Sequence, residues 1–208
     1  LAAVGSTGSI VNMLVGLCAG LSTGASVVIS HAYGAKDNRK LSDAVHTTIL
    51  VTFIVSIIAT AAGILIVPPM LRLMNTPADV FEGAKLYLTI YFAGLIGLLM
   101  YNMGSGILRA VGDSLKPLYF LIFSAALNIG LDLLFVLVFD MGISGVAYAT
   151  VIAQFLSAAL VLFTLSRSEA PYALHWGELR INGPVLKKIL AIGLPASIQQ
   201  AVTSFSNV

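Results

Sequence analysis

The chain has 208 residues, 58% of them hydrophobic and 10% charged, with a formal net charge of +2. Soluble domains carry about 25% charged residues, so this composition excludes a water-soluble globular protein. The few basic residues sit in short loops between apolar runs and offer no surface for nucleic acid, while a lone cysteine, Cys18, excludes a disulfide framework or thiolate metal cluster and reads as an inert buried thiol.

Breaking the sequence at its charges predicts an all-α polytopic membrane helix bundle. Five spans fall at about 5–30, 44–68, 82–106, 117–139 and 142–166, and a sixth opens at 189 and runs to 208. Each complete span covers the roughly 20 residues that cross about 30 Å of hydrocarbon. The first is too long for a signal-peptide core and has no basic segment before it. It carries Gly16, Gly20 and Gly24 at four-residue spacing, with Asn12 one turn earlier, a pattern that lets helix backbones approach closely. Gly34 reads as its C-cap, before a polar turn over 35–40. His31 and His46 read as end-of-helix residues rather than metal ligands, and Asp43 with His46 as a surface pair. Pro68-Pro69 is expected to stop the second helix. Thr76-Pro77-Ala78-Asp79 reads as the start of the third, with Thr76 as N-cap. Gly112-Asp113 and Pro117 bound the next loop. Asp140-Met141-Gly142 is so short that the fourth and fifth spans must form an antiparallel hairpin. Residues 167–188 form the longest polar stretch and read as a connector between bundles. Trp176 and Tyr172 are of the interfacial-anchor type there, and Asn182-Gly183-Pro184 is expected to begin a short helix that presents Lys187 and Lys188 to headgroups. The chain begins at Leu1 and stops at Val208 inside an apolar segment, so further helices are expected at both ends.

Lysine and arginine set the orientation. The loops at 31–43, 106–116 and 167–188 hold nine of the eleven basic residues, against Arg72 and Lys85 opposite. The positive-inside rule places those three loops in the cytoplasm, as expected of a multi-pass plasma-membrane protein.

Asp132 is the one charge inside an uncharged run from Pro117 to Phe139. Burying an acid there costs roughly 2.5–3.5 kcal/mol, and intramembrane acids are functional by default. Ser124, Asn128 and Asp132 recur every four residues and share a helix face. Thr150, Gln154 and Ser157 offer a comparable face on the next helix, and the short hairpin is expected to set the two stripes across one small polar cavity. Carboxylate, amide and hydroxyl oxygens are hard ligands that suit Na⁺. Desolvation disfavours the charged carboxylate, so a proton is the alternative passenger. No nucleophile elbow, zinc-protease or phosphate-loop pattern occurs, and the chain reads as no enzyme and as needing no cofactor beyond the coupling ion.

The segment Ile29-Ser30-His31-Ala32-Tyr33-Gly34-Ala35-Lys36-Asp37 resembles a turn characteristic of the multidrug and toxic compound extrusion (MATE) family. Tyr101-Asn102, Arg109 to Asp113, Asn128 to Asp132, Gly142 to Thr150 and Gly193-Leu194-Pro195 follow in that family's order. The resemblance covers essentially the whole chain and implies an amino-terminal lobe: helices two to six over 1–166, the interlobe loop over 167–188, and the start of helix seven over 189–208. It implies an antiporter that exports cationic or amphipathic compounds as Na⁺ or H⁺ enters, monomeric when complete, with the bilayer and small organic substrates as its partners. The family's cation ligands map onto Asn128, Asp132 and Thr150, with a further aspartate expected before Leu1; Gln154, Ser124 and Ser157 would line the cavity. The alternative implied is a lipid-linked oligosaccharide flippase of the same superfamily, which would want deep basic residues that these spans lack.

Overall fold

The computed structural model describes the backbone of residues 2–74 and 76–206. Side chains 2–15, 17, 18, 78, 79 and 201–206 are outside the described residues, and with them Asn12, Cys18 and Asp79. The described residues are helical, without a strand: α1 (Ala2–Gly34), α2 (Asn38–Leu73), α3 (Ala78–Ala93), α4 (Leu95–Ala110), α5 (Leu115–Leu133), a π-helical turn (Leu134–Val138), α6 (Gly142–Ser166), a 3-10 turn (Trp176–Glu178) and α7 (Gly183–Ser206). Among them, four stretches are long and apolar enough to cross a membrane: Asn38–Leu73, Val80–Ala110, Leu115–Val138 and Gly142–Ser166. Ile58, Leu65, Ile122, Phe123 and Leu137 stand exposed along α2, α5 and the π turn. That outward apolar surface suits hydrocarbon, where a helix pairs most of its backbone polar groups internally.

Two of the turns are built alike. α1 closes with Lys36 N–H donating to Tyr33 O and Asp37 N–H to Ala32 O; α4 closes with Gly112 N–H donating to Arg109 O and Asp113 N–H to Leu108 O. Such paired closures need a left-handed residue. That residue is Lys36 (φ 55°) after α1, not Gly34, and Gly112 (φ 93°) after α4. The following aspartate then caps the next helix: Asp37 accepts from Lys40 N–H at 3.1 Å and Asp113 from Lys116 N–H at 3.2 Å. Each also pairs with that lysine's ammonium, at 2.6 and 2.8 Å.

The ammonium bond, chiefly, holds both carboxyls below their ordinary value of 3.8, and the Lys116 ammonium is raised by the same pairing. A lowered carboxyl contributes stability above 3.8 that is lost as pH falls through the folded value; a raised ammonium contributes it until pH climbs through its own. Asp113→Ala in the full-length protein should therefore cost about 0.5–2 kcal/mol near neutral pH, the worth of a cap. The cost should shrink as pH falls below 3.8 and through the lowered folded value, where protonation weakens the native pairing. Thermal unfolding followed from pH 7 down through the acid range checks this, and a cost that never shrinks with acidification would count against the capping role.

Several local expectations give way to packing. α2 runs through Pro68-Pro69 to Leu73. The prolines lack the N–H groups that would reach one turn back, but Val67, Met70 and Leu71 are buried against Leu88, Phe92 and Leu95, which holds the last turn in place. Thr76 does not cap α3: its Oγ1 is buried without a partner, and the cap position is Pro77, with no side-chain bond. The third span is interrupted at Gly94, where a Cβ would stand 2.7 Å from Val151 Cγ2 and 2.8 Å from Gln154 Oε1 on α6. No separate short helix follows Asn182. Asn182 Oδ1 accepts from Val185 N–H at 3.2 Å, and α7 is continuous from Gly183 through the expected boundary at 189.

Asp43 and His46 are not surface residues. Both are buried, His46 to 1% exposure, beneath the 167–182 loop. Asp43 accepts from Arg180 Nε–H and Nη2–H at 3.0 and 2.5 Å and from Asn182 Nδ2–H at 3.0 Å. Thr47 Oγ1 accepts from Asn182 N–H at 2.9 Å and donates to Arg180 O at 3.3 Å. The connector is thus clasped to the amino-terminal end of α2. Tyr172 meets Tyr33 edge to face, and Trp176 Nε1–H donates to Ser166 Oγ at 3.0 Å.

The most extensive helix contact joins α1 to α7. It runs along the glycine row: a Cβ on Gly20 would meet the Ser197 backbone, and one on Gly24 would stand 2.5 Å from Ile189 O and 2.7 Å from Gly193 N. The spacing of Gly16, Gly20 and Gly24 therefore serves the join between the first and last helices.

Candidate cation site on the fifth and sixth helices

α5 carries Ser124, Asn128 and Asp132 up one face, each about 6 Å from the next at 1.5 Å per residue. Their environments differ. Ser124 Oγ donates to Ala153 O on α6 at 2.7 Å, and Ser157 Oγ donates to the same oxygen at 2.9 Å. Those two serines make a closed interhelical joint, and none of Ser124, Asn128, Asp132, Thr150, Gln154 and Ser157 lines any of three cavities among the described residues, of about 70, 570 and 390 Å³. Being hydrogen-bonded to one carbonyl, the two serines leave no polar gap between the stripes at their level.

One and two turns further out the character changes. Asn128 Nδ2 and Asp132 Oδ1 are shielded from solvent, and neither has a hydrogen-bond partner. Each such orphan costs about 1–3 kcal/mol, more when charged. An amide N–H₂ cannot ligate a cation. Turning the Asn128 amide about its bond would put Oδ1 in place of Nδ2, and since Nδ2 makes no bond, none is lost there. The pair can then present two hard oxygens to one ion.

Thr150 Oγ1 donates to Val146 O at 3.0 Å, within its own helix, which leaves the hydroxyl lone pairs available to an ion. Gln154 is turned toward the Gly94 break between α3 and α4 rather than toward the α5 stripe. Thr150, one turn before it, shares that flank. The side of α6 that meets α5 is instead small, with Ala153 under Ser124 and Gly145 against Phe135.

Just beyond Asp132 the helix widens into the π turn, where Phe139 N–H donates to Leu134 O at 3.1 Å. Met141 N–H then donates to Phe135 O at 2.9 Å, and Asp140 (φ 52°) and Gly142 (φ 55°) reverse the chain into α6. Single π turns often sit beside functional positions because they displace one residue from the regular ladder.

Sequence reading passed over a small, mainly apolar cavity that a few polar groups border. A cavity of about 70 Å³ lies among α1, α2, α4 and α7, bordered by Ser22, Thr48, Thr52 and Asn102 with Leu99 and Met103. Thr48 Oγ1 is buried there without a partner. Its signal was available: Thr48, Thr52 and Asn102 are polar positions inside apolar spans. Drug-sized ligands need roughly 300–1,000 Å³, so this cavity is too small for one.

The MatE family model matches residues 1–134. The chain belongs to the MatE family. A curated relative, Probable multidrug resistance protein YoeA of Bacillus subtilis, is 32% identical over 100% of this chain and 46% of its own length. Probable multidrug resistance protein YpnP of Bacillus subtilis is 34% identical over 97% of this chain and 44% of its own. An inward-facing structure of a multidrug resistance MATE family transporter of the MOP superfamily superposes with a TM-score of 0.88 at 27% identity, covering 99% of this chain and 47% of that one. This MatE chain therefore spans about half the length of the relatives it matches. It is a multi-pass protein of the plasma membrane and not an enzyme. The oligosaccharide-flippase alternative finds no support among these relatives.

Proposed function

We propose that the full-length protein exports cationic or amphipathic compounds by alternating access, driven by Na⁺ or H⁺ that binds at Asp132 with Asn128. The observation that carries this reading is the unpartnered pair Asn128 Nδ2 and Asp132 Oδ1, held one helical turn apart in an otherwise apolar helix. A fixed structural role would fill those bonds, as it does for Ser124 and Ser157. A cation bound there would satisfy the carboxylate and the turned amide together. The names of the relatives support the substrate class.

Coupling requires the ion and the drug to have different affinities for the two lobe arrangements. The test is drug susceptibility of cells with the full-length gene intact or deleted. Deletion should sensitise them to cationic dyes; unchanged dye tolerance with a cell-envelope defect would overturn the assignment.

A further inference from the structure

The clasp contains a cluster that transport does not use. His46 Nδ1 lies 2.8 Å from Ser42 O, and His46 Nε2 lies 3.1 Å from the His175 backbone nitrogen. A carbonyl can only accept and a backbone N–H can only donate, so Nδ1 carries the proton and Nε2 offers its lone pair toward the loop. The His175 ring lies parallel to His46, centroids 6.2 Å apart at 11°. The 3-10 turn, closed by Glu178 N–H donating to His175 O at 2.9 Å, folds Glu178 back over the same spot. One ring nitrogen from each histidine and a carboxylate oxygen of Glu178 lie within 4.8 Å of one another.

We infer that His46, His175 and Glu178 form a binding site for a Zn²⁺-class transition metal that staples the 167–182 loop to α2. Two imidazoles and a carboxylate are the donor set such a metal takes, with water in the fourth position. Bonds of 2.0–2.2 Å to a tetrahedral ion bring donors to about 3.4 Å apart. His175 and Glu178 are exposed and can close that gap by rotamer changes. His46 is already set for ligation, because a ligating histidine generally donates its other ring N–H to a carbonyl or carboxylate, here Ser42 O. The backbone N–H of His175 that would be displaced sits in an exposed loop, where water can take the place of Nε2. The site is independent of the cation reading at Asp132.

The test uses the purified full-length protein, stripped with a chelator and titrated with Zn²⁺ by calorimetry and with Co²⁺ by visible absorption. The wild type should bind one metal that both His175→Ala and Glu178→Gln weaken at least about tenfold. Both substituted side chains are exposed and outside the Asp43 clasp, so the variants should keep the wild-type gel-filtration profile. Absence of Zn²⁺ binding by the wild type, or unchanged affinity in both variants, would overturn the proposal.

Discussion

Asp132→Asn in the full-length protein is expected to abolish dye efflux while membrane levels stay at or above those of the wild type. The physical separation of the two effects rests on the same atom. Asp132 Oδ1 makes no hydrogen bond within the fold, so an isosteric amide removes no structural contact. It also removes the charge, and with it the roughly 2.5–3.5 kcal/mol insertion penalty of an intramembrane acid. What it takes away is the charge that would attract a cation. Moving a two-state transporter from 1:99 to 99:1 needs about 5.5 kcal/mol of differential binding, more than a neutral oxygen pair supplies. A structural role for Asp132 predicts the opposite pattern, with lost protein and any residual efflux scaling with the amount present. Immunodetection of membrane fractions beside a dye-efflux assay distinguishes them.

The second large effect concerns the α1–α7 join. Gly24→Val should collapse the yield or thermal stability of the full-length protein. The new Cβ would lie 2.5 Å from Ile189 O and 2.7 Å from Gly193 N. These are backbone atoms, with no flexible side chain to move aside, so the helices themselves must part. Overpacking costs typically 1–3 kcal/mol, occasionally more, and the branched methyls of valine add to it. Gly130 on α5 is the matched control, since nothing lies within 4 Å of a Cβ there. Gly130→Ala should be neutral or stabilising, up to the roughly 0.8–1.0 kcal/mol by which alanine outranks glycine in a helix. A Gly24→Val protein as stable as Gly130→Ala would contradict the close packing.

What could be read in the residues depended on how local the cause was. Asp132 and Asn128 stood out because an acid and an amide interrupt an apolar run, and helix periodicity puts them on one face. The short Asp140-Met141-Gly142 link identified the hairpin for a similar reason. The glycine row showed that some backbone comes close, but its partner, around Ile189 and Gly193, lies about 170 positions away. Asp43 and His46 looked like surface residues because Arg180, Asn182 and His175, which bury them, follow some 130 residues later. Pro68-Pro69 misled because a local rule met a packed interface that held the helix together. Within the candidate site, residue types were legible, whereas the direction of each side chain was not. Ser124 and Ser157 converge on one carbonyl, and Gln154 turns to Gly94; both depend on the rotation of α6 against its neighbours.

The most direct measurement is cation-driven transport in proteoliposomes containing the full-length protein, with a cationic dye as substrate and an imposed Na⁺ or proton gradient. The wild type should move dye against its gradient with one of those two ions, and Asp132→Asn should show no gradient-dependent movement under either. Gradient-driven dye transport by Asp132→Asn at the wild-type rate would contradict the account.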